Sequence, residues 1–456
     1  MDWKHLAFEH MVHSIGVRGV VGFLSENLFY PLAQKLEHRD ISSKIKYLED
    51  YYALDFKHRE RLVHKELIDV LSYAKQYVPY YRDLFKTISF DIEAVRRDID
   101  YFKDFPILTK SIINEHRDRL ISECYQEGCR RWDCKTGGST GVSAHIYYDV
   151  NAADWSSAVT LFCRRSVGAS LSKHVTHFAC KFNSEQENSW FTRGDLQCVV
   201  MNRSNIFFSS LTEEDLFRMY SLLKLRRPYL IHEHPSTIFT LADFIEKKGL
   251  IGNGLFKIFE SSGELLEDYQ RFKIENIFKC KIVNRYGLAE FGVIGYERQN
   301  NDMLLLDSEG YGESIDIGST PHLVFTGFHN RYMPLIRYET GDLAEVIKEA
   351  DGYKLTSLTG RIHDVIEING VKYATHTIMD IFDHQIKGIK EFQILHYKNS
   401  GAINFNICPE SFDDSNRIIS LIKVRWGDNV TVSIVPLEGF VRVGHRNKFR
   451  HLVELD

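Results

Sequence analysis

The chain has 456 residues, enough for two or three domains, and its 44% hydrophobic and 26% charged residues are typical of a globular protein. Its 57 basic and 62 acidic residues nearly balance, so charge gives no case for a nucleic-acid partner. Short pairs such as Arg164-Arg165 and Arg226-Arg227 are interpreted as solvent-exposed residues.

The chain has eight cysteines, most of them far apart, and no signal peptide is recognised. These features favour reduced thiols and a cytoplasmic location. No apolar run reaches the ~18 residues of a membrane span, so no transmembrane segment is expected.

The first 120 residues are predicted to be mostly helical. Segment 58–77 has apolar residues at helical spacing, Pro79 should end that helix, and Thr109 is placed to cap a helix at 110–120. Segment 15–36 is interrupted by charges and a proline. It is predicted either to pack on another part of the protein as an amphipathic helix or to lie on a membrane surface, so peripheral membrane contact stays open.

From residue 150 to 290, helices and strands alternate. Strands are predicted at HVTHFAC, QCVVM, NIFFSS, YLIHEH, FKIFES and KCKIVNRYG. This alternation is typical of a parallel sheet covered by helices, in which ligands bind beyond the carboxyl ends of the strands. Between 302 and 370, short strands indicate an antiparallel barrel or sheet that closes the same domain. Residues 371–456 are predicted to form a small α+β unit.

The stretch CKTGGSTGVSAHIYYD, residues 134–149, is unusually rich in glycine and in hydroxyl side chains. Residues 137–141 match G-x-S-x-G, the nucleophile elbow of esterases. The same residues suit a phosphate cradle, because glycines let backbone N–H groups converge on an anion and hydroxyls add donors. A surface turn without a ligand is the third interpretation. An elbow serine leads into a helix, whereas SAHIYYDV is patterned as a strand, which disfavours a hydrolase.

Four later motifs place polar side chains beside strands or turns. NRYGLAEFG puts Tyr286 and Glu290 after a predicted buried strand, and PLIRYETGDL puts Asp342 at a Thr-Gly turn. TGRIHDVIEING contains Arg361, and GHRNKFRHL presents Lys448 in a basic turn. Each motif is weak alone, since a glycine next to a polar residue after a strand usually marks an ordinary turn.

In this order the motifs resemble those of the adenylate-forming superfamily of acyl–coenzyme A synthetases, nonribosomal adenylation domains and luciferases. They are most similar to the phenylacetate–coenzyme A ligase family and its CapK-like branch, which is linked to capsular polysaccharide biosynthesis. The resemblance covers nearly the whole chain, through AKQYVPYYRDLF, DFPILTKSIINE, TGGSTG, HPSTIFTLADFIEKKG, SSGELL, YGLAE, PLIRYETGDL, GRIHDVI and NKFR. It implies an α/β fold with a large adenylation domain, 1–360, and a small mobile α+β lid domain, 361–456. The large domain would combine helix-covered sheets with a closing β-barrel-like part.

The resemblance also implies an ATP-dependent carboxylate ligase that releases AMP. A carboxylate is a poor electrophile because its leaving group would be oxide. Attack on the α-phosphate of ATP turns it into an acyl adenylate, whose leaving group is AMP, and positioning and cations do most of the catalytic work. Coenzyme A is the leading acceptor of the acyl group. The alternative acceptor is an amine or a sugar in surface-polysaccharide biosynthesis, and the weaker alternative is a non-catalytic relative that binds nucleotide only.

The roles of single residues follow from the resemblance. Lys448 would bridge the α-phosphate and the attacking carboxylate, and Glu290 would hold Mg²⁺. Tyr286 would lie against the adenine, Asp342 would accept hydrogen bonds from the ribose hydroxyls, and Arg361 would contact ribose or phosphate. The other nucleotide-binding residues would be Thr136, Gly137, Gly138, Ser139, Thr140, Gly141, Gly263, Glu264 and Gly287. The hinge between the domains would be His363.

The sequence departs from the family pattern at several places. Asn447 stands before Lys448 where the family usually has glycine, and His363 stands where most of the superfamily has aspartate. The stretch 291–310 contains no Cys or His, so the zinc cluster that some family members carry there is not expected. The HEH stretch at 232–234 is predicted to line a pocket rather than to bind a metal.

Overall fold

The structure is a computed structural model. It describes residues 18–125, 128–135, 144–180, 193–208, 210–298, 302–317, 320–359, 365–436, 439–443, 448–449 and 451–455. The described part up to residue 120 is helical, as predicted. Its helices are α1 (Arg18–Leu24), a π-helical turn (Ser25–Phe29) that leads into α2 (Tyr30–Leu36), α3 (Ile41–Tyr52), α4 (Phe56–Tyr77), α5 (Pro79–Ile88), α6 (Ile92–Arg97) and α7 (Lys110–His116), with 3₁₀ turns at Ile99–Asp104 and Arg117–Leu120.

Local sequence signals set the ends of these helices. Val78 separates α4 from α5, and Pro79 is the first residue of α5, where its missing N–H costs no helical hydrogen bond. The Thr109 side chain accepts a hydrogen bond from the N–H of Ile112 at 3.3 Å, so the predicted cap of α7 is confirmed.

Segment 18–36 packs on the protein by one of its faces. Tyr30 and Gln34 are buried, and the Ser25 hydroxyl donates to the carbonyl of Val199 at 2.9 Å. The opposite face exposes five large apolar side chains, Val20, Phe23, Leu28, Leu32 and Leu36. In the part of the chain that the structure describes, no helix is both long and apolar enough to cross a membrane. Packing on the protein was one of the two predictions for this segment, and contact with a membrane surface stays a prediction.

Among the described residues, eleven strands form one mixed sheet in the order β10-β11-β12-β13-β9-β8-β7-β6-β5-β3-β4. The strands are β3 (Val175–Cys180), β4 (Arg203–Phe208), β5 (Leu230–Glu233), β6 (Ile258–Ser261), β7 (Lys281–Leu288), β8 (Gly292–Glu297), β9 (Met303–Leu305), β10 (Gly310–Ile317), β11 (Thr320–Gly327), β12 (Tyr338–Lys348) and β13 (Tyr353–Thr359). From β4 to β7 the pairing is parallel, as predicted from the alternation of elements. From β7 to β10 it is antiparallel, as predicted for the region after residue 302. Strand β7 therefore belongs to both halves, and the NRYG motif lies on it.

Helices cover the parallel half of this sheet. They are α8 (Val150–Ser166), α9 (Arg193–Val200), α10 (Glu213–Arg226), α11 (Pro235–Lys247) and α12 (Asp268–Phe278). The predicted strand QCVVM is wrong, because most of this stretch ends α9. Its two valines favour a strand by local propensity, but α9 packs against the turn that contains Ser25, and tertiary packing decides the conformation.

The region around the glycine-rich stretch begins and ends with paired strands. Strand β1 (Arg131–Lys135) pairs with β2 (His145–Asp149) in antiparallel fashion, and α8 follows β2 directly. The stretch after the glycines is thus a strand, as predicted, and not the helix that follows the nucleophile of an esterase elbow.

The C-terminal part has a sheet and a core of its own. Strands β16 (Ile389–Tyr397), β17 (Ala402–Pro409), β18 (Thr431–Ile434) and β21 (Leu452–Leu455) form a four-stranded sheet, beside the hairpin of β14 (Val365–Ile368) with β15 (Val371–Ala374), the helices α13 (Thr375–Ile381) and α14 (Ser415–Trp426), and the short pair of β19 (Arg442–Val443) with β20 (Lys448–Phe449). The main apolar cluster of this part draws its residues from 366 to 452, while the buried residues of the N-terminal clusters end at 355. Separate cores agree with a domain boundary near 361, which stays a prediction.

Candidate active site

Two buried carboxylates lie near Tyr286, where the parallel and antiparallel halves of the sheet meet. The Tyr286 hydroxyl donates a hydrogen bond to Oδ2 of Asp342 at 2.8 Å, and the Tyr338 hydroxyl donates to Oε1 of Glu290 at 2.6 Å. Burial raises the pKa of Tyr286 well above its usual value, and the charges of Asp342 and Glu290 raise it further. The structure therefore brings together Tyr286, Glu290 and Asp342, which the sequence predicts at the nucleotide. It also shows that Tyr338 contacts Glu290, which the sequence did not predict.

An irregularity in a strand, not a turn, positions Asp342. The motif YETGD begins β12, and Gly341 within it has a φ of +83°, which favours glycine. The pairing of β11 with β12 shifts its register nearby, and the Asp342 N–H donates to Oγ1 of Thr340 at 3.2 Å. The turn predicted at Thr340-Gly341 is thus a bulge that aims the carboxylate at Tyr286.

Glu290 lies between β7 and β8 in an aromatic environment. The ring of Phe291 packs edge-on against Phe325 and Tyr338, with centroid distances of 4.9 and 5.9 Å. Cys134 lies close by, since burial, followed by the charge of Glu290, raises the pKa of its thiol to about 11. Cys134 is on β1, one residue before the end of that strand, so β1 ends near Glu290.

Gly263 and Glu264 follow β6 and hold the start of α11 in place. Gly263 has a φ of +81°, and a Cβ at this position would collide with Nε2 of His234. The Glu264 carboxylate accepts hydrogen bonds from the Ser236 N–H at 3.1 Å and from its hydroxyl at 2.9 Å. Both Glu264 oxygens are therefore engaged at the first turn of α11, which assigns this residue a positioning role. Its predicted contact with the nucleotide stays a prediction.

Other predicted site residues fall outside the described part of the chain. These are Thr136, Gly137, Gly138, Ser139, Thr140, Gly141, Arg361 and His363. Lys448 is described only by its backbone, which begins β20 and pairs with Val443. Gly287 is next to Tyr286 on β7, at an irregularity in the β7–β8 pairing. The roles of these residues stay predictions.

Two arginines that were interpreted as solvated are buried. Arg164 on α8 is 5% exposed and donates to the fully buried carboxylate of Glu260, with Nη2 at 2.7 Å. Arg226 is 4% exposed and donates to the carbonyl of Asn205 at 3.0 Å. The prediction of solvated faces was wrong for these two residues, because each finds a polar partner under its helix. Both arginines lie near the C-terminal end of a helix that is partly apolar. The sequence does not show which face of that helix is buried, so it gave no clear sign of their burial.

The donor set at Glu290 fits Mg²⁺. Within the described residues, no three His, Cys, Asp or Glu side chains converge closely enough to hold a metal ion without help. Mg²⁺ at nucleotide sites usually binds one or two carboxylates together with phosphate oxygens and waters. Tyr338 occupies only one oxygen of Glu290, so the carboxylate has capacity to bind a metal that arrives with the nucleotide.

Comparison with known proteins finds similar sequences and similar solved structures. No protein-family model matches the sequence. The chain is 22% identical over 410 residues to protein CapK of Staphylococcus aureus, which covers 85% of this chain and 89% of that protein. It is 24% identical over 356 residues to phenylacetate–coenzyme A ligase of Pseudomonas putida, covering 73% and 77% of the two chains. A crystal structure of 2-hydroxyisobutyryl-CoA ligase, in complex with 2-HIB-AMP and CoA, superposes with a TM-score of 0.55 at 18% identity, over 88% of this chain and 90% of that one.

The fold and the order of the motifs are similar to those of adenylate-forming proteins, and the chain is similar in sequence to members of the adenylate-forming superfamily. Within that superfamily it is like the phenylacetate–coenzyme A ligases, with CapK among its relatives.

Proposed function

We propose that this protein is an ATP-dependent, AMP-forming ligase that converts a carboxylic acid to an acyl adenylate and then transfers the acyl group to coenzyme A. The observation that carries the proposal is the pair of buried carboxylates, Glu290 and Asp342, each held by a tyrosine hydroxyl at the junction of the sheet. Relatives named as coenzyme A ligases support the choice of acceptor. The proposal includes a lid domain that begins near residue 361 and a cytoplasmic location. None of the seven cysteines with described side chains forms a disulfide, which supports that location.

In the first step, a carboxylate oxygen of the acid attacks the α-phosphorus of ATP, and the bond from that phosphorus to the pyrophosphate oxygen breaks. Asp342 orients the ribose through its hydroxyls, Tyr286 packs against the adenine, and residues 136–141 hold the β- and γ-phosphates. Glu290 would hold Mg²⁺, which would supply positive charge to the phosphates. In the second step, the sulfur of coenzyme A attacks the acyl carbon, its proton leaves, and AMP departs.

Exchange of pyrophosphate into ATP, measured over a panel of carboxylic acids, tests the proposal. We expect exchange that depends on the acid and needs no coenzyme A, and acyl–coenzyme A with AMP as products once coenzyme A is added. ATP binding without exchange for any acid would identify a nucleotide-binding relative without catalytic activity.

The similarity to CapK over 85% of this chain favours a second candidate function. In it, the adenylate forms as above, but the acyl group passes to an amine or a sugar hydroxyl. The same assay separates the two functions: release of AMP that amines or sugars stimulate, and coenzyme A does not, would select the second.

Replacing Asp342 with alanine should weaken ATP binding. The ribose hydroxyls lose a charged acceptor, and the partly buried Tyr286 loses its hydrogen bond to Asp342 as well. A hydrogen bond to a charged group is worth about 1.5–3 kcal/mol, so the dissociation constant should rise roughly tenfold or more. Calorimetric titration with ATP measures the change. Asp316→Ala, at an exposed position on β10, is the control and should bind ATP normally. Unchanged affinity in Asp342→Ala would remove the ribose role.

Replacing Tyr338 with phenylalanine should raise the Mg²⁺ requirement. The fully buried Tyr338 hydroxyl fixes one oxygen of Glu290, and without it the carboxylate loses its preset orientation. Loss of about 1 kcal/mol corresponds to a shift of roughly fivefold in half-maximal Mg²⁺ concentration. Pyrophosphate exchange against Mg²⁺ measures it, and Mn²⁺ binding followed by electron paramagnetic resonance gives a readout independent of turnover. Tyr296→Phe removes the same kind of bond from Glu260 and should leave the metal dependence unchanged.

A further inference from the structure

A cluster of charged and polar side chains is buried between α8 and the parallel half of the sheet. We call it the guanidinium cluster; its members are Arg164, His177, His232, Glu260 and Arg285. Its centre is Glu260, which is fully buried and accepts hydrogen bonds from Nε and Nη2 of Arg164 at 3.1 and 2.7 Å. Nδ1 of His232 lies 2.8 Å from Oε2, the same oxygen that accepts both of these hydrogen bonds. Glu260 is therefore well paired, and Arg164 is its direct partner.

The second guanidinium, that of Arg285, is poorly paired. It contacts Nε2 of His232 and the Thr160 hydroxyl, both at 3.4 Å, and its Nε has no acceptor. Within the described residues, no carboxylate forms an ion pair with Arg285. A guanidinium has five N–H donors and is always protonated, so Arg285 is a cation with N–H donors that could bind an anion.

The other members of the cluster do not neutralise Arg285. Burial alone would raise the pKa of Glu260, but the charge of Arg164 and a hydrogen bond from His232 hold it well below its usual range. Burial lowers the pKa of His232 and brings that of His177 well below its usual value, so both imidazoles are neutral near pH 7. Two guanidinium groups and one carboxylate leave a net charge of +1, which is costly away from water unless an anion accompanies it.

The cluster also faces accessible space. Strand β5 lies between β3 and β6 in the interior of the sheet, yet the His232 side chain on it is 22% exposed. His177 and Arg285 are also only partly buried, although the His177 Nε2 atom, which has no hydrogen-bond partner, is itself inaccessible to solvent. Solvent therefore reaches part of each of these three side chains, and we call the opening onto Arg285, His177 and His232 the cleft.

The cleft adjoins the proposed nucleotide site. Arg285 directly precedes Tyr286, and alternation along β7 directs the two side chains to opposite faces. Tyr286 meets Asp342 on β12, and Arg285 meets Thr160 on α8. Glu260 likewise precedes Gly263 by three residues. The carboxyl ends of these strands thus carry the nucleotide residues on one side and the guanidinium cluster on the other, where the non-reacting part of an acid would lie.

We propose that the acid activated by this protein carries a second negatively charged group, such as the distal carboxylate of a dicarboxylic acid, and that Arg285 binds this group in the cleft. The inference rests on the proposed function and names its substrate class. The distal anion neutralises the net charge of +1 on the cluster and accepts hydrogen bonds from Arg285. An acid whose distal end is uncharged neither neutralises this charge nor provides an anionic acceptor, so the cleft selects against such acids.

Matched acids in the pyrophosphate-exchange assay test this inference. Each linear dicarboxylic acid from malonate to adipate is compared with its monoamide, which keeps the shape and loses the charge, and with the methyl-terminated acid of equal length. We expect at least one dicarboxylate to exceed both analogues by about tenfold or more in kcat/KM, since a buried charge pair is worth at least one factor of ten.

The variant Arg285→Met removes the cation and keeps the length of the side chain. It should remove the preference for the dicarboxylate through a higher KM for that acid, while the KM for ATP and exchange with the monoamide change little. The fold should survive, because Glu260 keeps Arg164 and the cluster becomes neutral. A thermal melt checks this, and Arg285→Gln serves as a second variant. Arg96→Met, at an exposed site on α6, is the control and should keep the preference.

The possible results separate this inference from the proposed function. Exchange that is strongest with neutral acids, or a dicarboxylate preference that survives Arg285→Met, overturns the role of Arg285 and leaves the ligase function standing. A monoamide as good as its dicarboxylate overturns the requirement for charge. No exchange with any acid overturns the ligase function, and this inference with it.

Discussion

Replacing Lys448 with alanine should lower acid-dependent pyrophosphate exchange by about two orders of magnitude, in line with the loss of one preorganised cation from a dry site. In the proposed mechanism, the ammonium bridges the α-phosphate and the attacking carboxylate, so it opposes the repulsion between two anions as they meet. Lys448 begins β20 in the C-terminal part. In the proposed mechanism it reaches the nucleotide when that part closes on the large domain.

The two half-reactions separate this role from a structural one. By the second step pyrophosphate has left, and Lys448 has no task in acyl transfer. Lys448→Ala should therefore consume a chemically supplied acyl adenylate at nearly the normal rate while its exchange rate is low. The control is Lys390→Ala, at an exposed position on β16, which should behave normally in both assays. Normal exchange in Lys448→Ala would show that this lysine has no role in adenylation.

Replacing Glu290 with glutamine should lower adenylation at least about tenfold, or ~1.4 kcal/mol in the barrier. The amide is close in shape to the carboxylate, and its oxygen still accepts the hydrogen bond from Tyr338, so the surroundings need not rearrange. What is lost is one unit of negative charge toward Mg²⁺, a cation that prefers carboxylate and phosphate oxygens.

The defect of Glu290→Gln should be largest at limiting Mg²⁺ and should shrink as Mg²⁺ rises. Exchange rates over a Mg²⁺ titration, with Glu345→Gln at an exposed position on β12 as the control, measure this dependence. An equal loss of rate at all Mg²⁺ concentrations would indicate a structural role for Glu290. Unchanged rates at limiting Mg²⁺ would show that Glu290 does not bind the metal.

Some residues of the site carry a local sequence signal, and others do not. Tyr286, Glu290 and Asp342 each stand in a short motif, and the structure brings them together as the order of motifs implied. Tyr338 stands in the same motif as Asp342, but nothing in that motif says that its hydroxyl reaches Glu290, which is 48 residues away. Arg164 and Glu260 are 96 residues apart, and their pairing arises only from the packing of α8 on the sheet.

The sequence alone determined the α/β alternation, the order of the adenylate-forming motifs and the helix caps, because these depend on hydrophobic periodicity and on contacts over a few residues. The tertiary structure decided what depends on distant contacts. It made QCVVM part of a helix, turned the Thr-Gly motif into a strand bulge, and buried an arginine interpreted as solvated beside Glu260. It also left Arg285 without an anionic partner among the described residues, since the charge balance of a cluster is the sum of side chains that come from separate strands and helices.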